Sequence, residues 1–312
     1  MNNHKTYRQG LSCALLCSIL WGVLPIYWDA LEPIDSLVII LYRVSLMALL
    51  CLFCCWHRYG LKNTFRPMFE SPKKFFTYVI AGVVVVSNWS IYVAAVRAGY
   101  VIQTSMGYFL EPLIICLLGM LFYREKINGM KKTALVFAGI GVLVLVIGYR
   151  QLPMIALGLA VTFSAYAAIK KSVALDPLQS MLFETIFLLP VMLLGIVRME
   201  SAGHGALAIA GPGKYALLLL SGIVTAVPMG LFSSAANKLP LVTLGLTEYI
   251  CPSLSLVLGI FLFHEPFDRV QLISFVLVWI GLMFFTWGEV RDQKTRSAPQ
   301  KPARAQSEPA CS

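Results

Sequence analysis

Charged residues are scarce in this sequence. Only 13% of its 312 residues are Asp, Glu, Lys or Arg, whereas 58% are hydrophobic, and the mean hydropathy is +0.77. Soluble domains carry about 25% charged residues, so this chain lacks the polar surface that a water-soluble globule needs. The composition therefore excludes a soluble protein of this length and predicts one that is embedded in a membrane.

Motifs for catalysis, nucleotide binding and metal binding are also missing. The sequence has no H-E-x-x-H, and in "GPGKY" (211–215) neither Ser nor Thr follows Lys214, so the string is not a phosphate-binding loop. The net charge of +10 lies in short connections and at the chain ends rather than in one patch. We therefore expect a protein that is not an enzyme and that has no cofactor, no metal site and no nucleic-acid partner.

Long apolar runs are what the sequence does contain. About 20 residues are needed to cross about 30 Å of hydrocarbon, and ten runs of roughly this length are separated by charged or Gly- and Pro-containing breaks. The predicted spans are residues 9–29, 36–57, 74–96, 101–123, 131–149, 152–170, 177–197, 214–236, 241–263 and 269–288. The predicted fold class is an all-α polytopic membrane protein with ten transmembrane helices.

The basic residues indicate how these spans are oriented. With the N-terminus inside the cell, most of the 25 Lys and Arg residues fall on the cytoplasmic side, as the positive-inside rule requires. We therefore expect a multi-pass protein of the inner (plasma) membrane with both termini cytoplasmic. Residues 1–8 form the cytoplasmic N-terminus in this prediction, and residues 289–312 form a disordered basic tail, since the tail is polar and has no apolar period.

An internal repeat divides the ten spans into two sets of five. When the sequence is aligned with itself so that "EPLIICLLGMLFYRE" (111–125) lies over "CPSLSLVLGIFLFHE" (251–265), the two strings share the pattern P-x6-G-x5-E. Because five is odd, the second set enters the membrane from the opposite side. We predict two inverted five-helix repeats, residues 9–149 and 152–288, an arrangement typical of alternating-access transporters. The aligned pairs are Pro112 with Pro252, Gly119 with Gly259, and Glu125 with Glu265.

A few polar residues interrupt the predicted spans, where a charge costs several kcal/mol and calls for a reason. At 1.5 Å per residue, Glu111 lies near the midplane, while Glu184 and Glu248 lie roughly 10 Å from the cytoplasmic end of their helices. These carboxyls either bind a cationic group or exchange protons, or they are neutral groups bonded to a neighbouring helix. Arg43 either binds an anion or bonds helix carbonyls, and Asn88, Trp89 and Tyr108 either line a cavity or pack the core.

Five prolines are predicted to interrupt their spans. A proline removes one backbone N–H and frees the carbonyl four residues earlier, which water, substrate or another helix must then satisfy. Pro112 beside Glu111, and Pro252 near Glu248, mark the two most polar places in the repeat. The other three are Pro25, Pro190 and Pro228.

Several short strings together resemble a known family. They are "LYRV" (41–44), "NW" (88–89), "GYFLEPL" (107–113), "LLP" (188–190), "TAVP" (225–228) and "LVTLGLTEYICPSL" (241–254). In order and spacing they resemble the RarD proteins, called chloramphenicol-sensitive proteins, of the EamA group in the drug/metabolite transporter superfamily. The resemblance covers about residues 7 to 288. It implies an inner-membrane permease with ten helices around a central cavity, and it marks Arg43, Asn88, Trp89, Tyr108 and Glu184 as motif positions.

At two of the polar positions this sequence departs from the pattern that it resembles. Amides are common in the family where this chain has Glu111 and Glu248, and the departure implies a more cationic cargo. We expect a secondary transporter that moves small metabolites or drugs outward by alternating access, coupled to protons at these two carboxyls. Its expected partners are a small-molecule substrate, membrane lipid and protons. A homo-oligomer is a further possibility that the sequence leaves undecided.

Two other classes of function stay open as well. An intramembrane enzyme acting on lipid-linked substrates would need an acid–base pair, for which Glu184 and Glu248 are the only candidates. A membrane partner or sensor that does not transport would need no cavity large enough for a solute.

Overall fold

The protein is a bundle of helices. The computed structural model describes residues 2–98, 100–150, 154–173, 175–264 and 267–297, and within these ranges it contains no β-strand. The α-helices are α1 (Asn2–Asp29), α2 (Ser36–Tyr59), α3 (Leu61–Phe65), α4 (Pro72–Arg97), α5 (Val101–Phe122), α6 (Gly129–Tyr149), α7 (Met154–Ser172), α8 (Pro177–Thr185), α9 (Leu189–Ser201), α10 (Ala206–Ile209), α11 (Pro212–Leu219), α12 (Ser221–Lys238), α13 (Leu241–Glu248), α14 (Ile250–Phe261) and α15 (Arg269–Ser297), with a 3₁₀ turn at Arg66–Phe69.

Nine segments of the described chain are long and apolar enough to cross a membrane. A tenth is reached if the bent pair Pro177–Thr185 and Leu189–Ile209, which meet at 58°, forms one span. Large apolar side chains such as Phe122, Ile147 and Met283 are more than 60% exposed on the outside of the bundle, which is costly in water but favourable in lipid. The prediction of an all-α multi-pass membrane protein is confirmed.

Two of the five prolines coincide with helix breaks. The chain breaks between α8 and α9 just before Pro190, and between α13 and α14 just before Pro252. In contrast, Pro25, Pro112 and Pro228 lie inside α1, α5 and α12, which continue through them. The prediction that these three interrupt their helices is wrong, because a proline removes a single N–H while its own φ remains compatible with a helix.

Helices α6 and α15 pack along each other through small residues. A Cβ added to Gly141 would lie 3.0 Å from the carbonyl oxygen of Ser274, and one added to Gly281 would lie 2.9 Å from that of Ala134. Residue numbers rise along α6 as they fall along α15, so the two helices are antiparallel. Gly141 and Gly281 occupy the same position in the two copies of the repeat, and so do Ala134 and Ser274. If each residue is replaced by its counterpart in the other copy of the repeat, the contact between Gly141 and Ser274 becomes the contact between Gly281 and Ala134.

A second pair of contacts between α6 and α15 obeys the same rule. Gly148 meets Val270, and Gly288 meets Met130. In the alignment of the repeat Gly148 lies over Gly288, and Met130 lies over Val270. The exchange thus holds at two heights along the helix pair.

Two other helix pairs repeat this exchange. Helix α4 lies against α8 where Gly82 meets the backbone of Glu184, and α12 lies against α2 where Gly222 meets Leu46 and Met47. Gly82 and Gly222 are also aligned with each other in the repeat. The third helix of each half therefore packs closely on the second helix of the other half.

The shared spacing P-x6-G-x5-E of the repeat has a structural explanation in the first copy. The two carboxylate oxygens of Glu125 accept hydrogen bonds from the backbone N–H groups of Leu241 and Val242, at 2.7 and 2.9 Å. These are the first residues of α13, whose N–H groups have no partner inside the helix. Gly119 leaves room for this carboxylate, since its added Cβ would lie 2.9 Å from Glu125 Oε2. Glu265, the predicted counterpart in the second copy, lies outside the described residues.

Helix α15 continues to Ser297, beyond the predicted end of the last span at residue 288. Glu289, expected in the disordered tail, is 5% exposed. Its Oε1 accepts a hydrogen bond of 2.6 Å from the Tyr7 hydroxyl, and its Oε2 lies 3.1 Å from Lys131 Nζ. Lys131 Nζ also donates to Thr243 Oγ1 at 3.0 Å. These bonds tie α15 to α1, α6 and α13, which explains why the helix extends further than predicted. Residues 298–312 of the predicted tail lie outside the described residues.

Candidate functional site

Glu111 of α5 and Glu248 at the end of α13 are two buried carboxyls in the interior of the bundle. They are 8% and 3% exposed, and their carboxyls are close enough for their charges to interact. No described side chain forms a hydrogen bond or ion pair with the Glu111 carboxyl, and Glu248 Oε1 is buried without a partner. Ser18 of α1 approaches Glu248, although its hydroxyl donates to the Ala14 carbonyl. Two buried carboxyls thus share one region with no described cation bonded to either.

The break after α13 gives Glu248 its position. Glu248 is the last residue of α13, and its carbonyl lacks the usual donor because Pro252 has no N–H. Tyr249, between the two helices, donates its hydroxyl to the Phe109 carbonyl at 3.0 Å. That carbonyl lies next to the one that Pro112 leaves free in α5. Both prolines therefore belong to the same contact between α5 and α13, which is where the two carboxyls meet.

Arg43 lies on α2 between two indole rings. Its guanidinium carbon is 4.5 Å from the centre of the Trp89 ring and 5.4 Å from that of Trp28. Its Nε is buried and has no hydrogen-bond partner, and no ion pair of Arg43 occurs within the described part of the chain. The two aromatic faces stabilise the guanidinium cation, and its buried Nε is left without a hydrogen-bond partner.

Tyr108 of α5 is a third polar residue in the neighbourhood of Arg43 and Glu111. It interacts electrostatically with both Arg43 and Glu111, and with Tyr92 and Cys251; its ring centre is 5.9 Å from that of Tyr92. With these neighbours around it, Tyr108 is nevertheless 39% exposed, so it borders open space inside the bundle. We call Arg43, Trp89, Tyr108, Glu111 and Glu248 the central polar site.

Two predicted site residues lie in other contacts. The Asn88 amide nitrogen donates to the Leu159 carbonyl at 2.8 Å and to Thr162 Oγ1 at 2.9 Å, which ties α4 to α7. Glu184 is 2% exposed and accepts hydrogen bonds from Lys170 Nζ at 2.6 Å, from Ser180 at 2.9 Å and from Tyr166 at 3.0 Å. Neither residue belongs to the central polar site by its contacts.

Sequence reasoning missed several neighbours of this site and one buried ion pair. Trp28, Ser18, Tyr92 and Cys251 border the central polar site, yet each reads in the sequence as an ordinary apolar or small residue of a span. Lys170, the last residue of the predicted span 152–170, is 1% exposed and bonded to Glu184. The sequence contains a signal for this pair, because Lys170 and Glu184 are charges of opposite sign that lie within neighbouring predicted spans.

The helices and the central polar site together define a polytopic membrane protein with charged groups in its interior. The model of the EamA-like transporter family matches the chain twice, over residues 8–147 and 152–287. The chain belongs to this family, and within it to the group of RarD proteins.

Similar proteins are known from several bacteria. The chain is 32% identical to "Uncharacterized transporter YojE" of Bacillus subtilis (strain 168), over 92% of this chain and 97% of that protein. It is 31% identical to "Protein RarD" of Escherichia coli (strain K12), over 94% and 99%. A crystal structure with 15% sequence identity superposes with a TM-score of 0.68, over 90% of this chain and 98% of that one, which shows a shared fold.

Proposed function

We propose that the protein is a secondary transporter of the bacterial inner membrane that moves small metabolites or drugs outward by alternating access, coupled to protons. The observation that carries this proposal is the central polar site, where an arginine and two carboxyls lie inside the bundle with no ion-pair partner among the described residues. Charged groups at such depth are costly and are found on substrate and proton pathways. The name of the Bacillus subtilis relative, "Uncharacterized transporter YojE", supports the same class.

The two halves of the chain have opposite orientations in this proposal. The family model matches each half once, and the contacts between α6 and α15 are exchanged when one copy of the repeat is laid over the other. Two antiparallel helices related in this way are related by a two-fold axis perpendicular to them, which lies in the membrane plane. This supports inverted repeats and a substrate site where the halves meet. The distribution of Lys and Arg along the sequence supports cytoplasmic termini.

The paired carboxyls are the proton-exchanging groups of the proposal. The charges of the two carboxyls interact, so in this proposal the pair binds and releases one proton together. The groups that face them are Tyr108 and Tyr249 around Glu111, Cys251 beside both, and Ser18 and Cys17 of α1 beside Glu248. None of these described groups is a Lys or Arg whose positive charge would hold a carboxyl in the ionised form. Either carboxyl of the pair can therefore bind and release a proton.

The test uses purified protein in proteoliposomes containing a pH-sensitive dye. A metabolite extract and a set of cationic drugs are added, with and without an imposed pH gradient, and solute uptake is measured by mass spectrometry together with proton movement. We expect solute-dependent proton movement that Glu111→Gln abolishes or makes independent of pH. The exposed Glu70→Gln serves as the matched control. Uptake by Glu111→Gln with an unchanged pH profile removes this carboxyl from the mechanism, and the absence of any solute-dependent flux contradicts transport.

The alternative of an intramembrane enzyme gains no support from the geometry. It requires Glu184 and Glu248 as an acid–base pair, but the Glu184 carboxylate is occupied by Lys170, Ser180 and Tyr166. A carboxylate bonded to an ammonium and two hydroxyls is poorly suited to accept a proton from a substrate.

A further inference from the structure

The connection between α2 and α4 concentrates positive charge at one end of the bundle. It contains four basic residues and a single acid, Glu70, and all four basic side chains are exposed. Lys74, one of the four, forms an ion pair with Glu70. We call the other three, Lys62, Arg66 and Lys73, the basic patch.

The protein itself provides no free anion for the basic patch. Within the described ranges, neither Lys62 nor Lys73 forms an ion pair. Arg66 interacts with the carboxylate of Glu70, but that carboxylate is bonded to Lys74. The charge of the basic patch is therefore met from outside the chain.

Short helix α3 and the 3₁₀ turn after it direct two of these cations to one side. Thr64 is fully buried, and Lys62 and Arg66 are each two residues away from it. Residues two apart on a helix point to nearly opposite sides, whereas residues four apart share a face. Lys62 and Arg66 therefore share the outer face of this turn, away from the bundle.

Helix α8 holds the connection in place from below. The Gln179 amide nitrogen donates to the carbonyls of Asn63 and Thr64, at 3.4 and 3.3 Å. Phe65 stacks on Phe183 of α8, with ring centres 6.2 Å apart. Because these contacts fix the backbone, the basic side chains extend from a defined place on the surface.

Exposed aromatic rings flank the basic patch. Trp56, about one turn before the end of α2, and Phe76, about one turn after the start of α4, are 59% and 60% exposed. Phe69, within the connection, is 69% exposed. Aromatic side chains at the ends of membrane spans lie at the level of the lipid head groups. The basic patch therefore lies at this level too, beside rings that face lipid rather than water.

We propose that this surface binds anionic phospholipid, with Lys62, Arg66 and Lys73 around the negative head group and the exposed rings against the acyl chains. A soluble anion would satisfy the cations but leave the rings uncovered, and a neutral phospholipid would cover the rings but leave the net positive charge. Each basic residue near an anionic membrane surface strengthens the attraction about fivefold. The inference is independent of the proposed function, because its test measures no transport.

The experiment uses the purified full chain in detergent micelles. Thermal stabilisation is followed on titration with phosphatidylglycerol or with phosphatidylcholine of the same acyl chains. We expect the apparent affinity for phosphatidylglycerol to be about tenfold or more higher, and this preference to fall as salt is added, since salt screens exposed charges. The triple variant Lys62→Gln, Arg66→Gln and Lys73→Gln should lose the preference. Because each variant is compared with itself across two lipids, an altered protein stability does not imitate the result.

A matched control removes the same amount of charge elsewhere. Arg150→Gln, Arg198→Gln and Arg269→Gln together delete three exposed cations from three separate connections, and this variant should keep the preference. Phe69→Ser should weaken the binding of both lipids by a similar factor and also keep the preference, because the ring contacts acyl chains of either lipid.

Three outcomes overturn the proposal. The first is equal affinity of the unaltered protein for both lipids. The second is an equal loss of preference in the control triple variant, which would be an effect of net charge alone. The third is stabilisation by inorganic phosphate as strong as that by phosphatidylglycerol at the same concentration, which would assign the basic patch to a soluble anion. A preference that only the basic-patch variant loses supports the lipid site.

Discussion

The buried contact between Lys170 and Glu184 allows a quantitative prediction. The two charged atoms lie 2.6 Å apart, and the side chains are 1% and 2% exposed. Glu184→Gln keeps the shape but leaves the Lys170 ammonium buried without a countercharge. Removing one partner of a buried pair costs about 3–5 kcal/mol, whereas replacing both with apolar residues is often neutral or stabilising. We expect Glu184→Gln to lose about 3–5 kcal/mol in free energy of unfolding, and Lys170→Met with Glu184→Leu to recover most of this loss.

The assay is equilibrium unfolding in mixed detergent micelles as the fraction of dodecyl sulfate rises, followed by tryptophan fluorescence. If Glu184→Gln is too unstable to purify, the double variant still tests the reasoning, because a purely electrostatic defect must be repaired by removing both charges. In the same double variant we expect uptake per folded molecule to be unchanged, since Glu184 lies outside the central polar site. A double variant as unstable as the single one would refute the electrostatic account, and a stable double variant without uptake would return Glu184 to the transport pathway.

Two further predictions concern the contacts between the halves of the chain. Glu125→Ala leaves two N–H groups at the start of α13 without their carboxylate and should cost about 1–2 kcal/mol in free energy of unfolding, whereas Glu125→Gln should cost less; equal losses would show that the carboxylate oxygens are not the cap. Gly281→Ala places a Cβ 2.9 Å from a backbone oxygen of α6 and should cost about 1–3 kcal/mol, measured in the same unfolding assay. Its control is Gly139→Ala, where nothing lies within 4 Å, which should be neutral or slightly stabilising because Ala favours the helix; a similar loss in both would contradict close packing at Gly281.

Features with a strong local signal could be predicted from the sequence. The apolar runs indicated the spans because a stretch of about 20 apolar residues has few alternatives to crossing a bilayer. Arg43 and the carboxyls Glu111 and Glu248 stood out because charge is rare in these runs. Their assembly into one site is a tertiary fact, and no spacing along the chain indicates that Trp28 and Trp89 enclose the same guanidinium.

Other features depended on contacts that the sequence expresses weakly. Pro252 follows a one-residue interruption at Tyr249 within the span Leu241–Phe261, while Pro112, at the same position in the repeat, lies in an uninterrupted helix, although both remove one N–H. The reason for this difference is that neighbouring helices, and not the proline alone, decide whether the chain continues. Glu289 was assigned to a disordered tail because the residues after it are polar, but its bonds to Tyr7 and Lys131 join distant parts of the chain.

A signal for the packing of α6 on α15 was present and was not used. Gly141 and Gly148 in the first half align with Gly281 and Gly288 in the second, in the same register as the prolines of the repeat. A pair of glycines that occurs at the same positions in both copies of the repeat indicates a surface on which the two copies pack closely against each other. Aligning the glycines as well as the prolines would have located this contact.

The exchanged glycine contacts also limit how the two halves can move. Helices α6 and α15 meet through backbone oxygens at Gly141 and Gly281, and through the side chains of Val270 and Met130 at Gly148 and Gly288. Sliding one helix along the other would therefore drive atoms of one helix into its neighbour. A small rotation about a line through the middle of the contact is far less obstructed. In the transport cycle that we propose, this helix pair is the pivot about which opening on one side of the bilayer is accompanied by closing on the other.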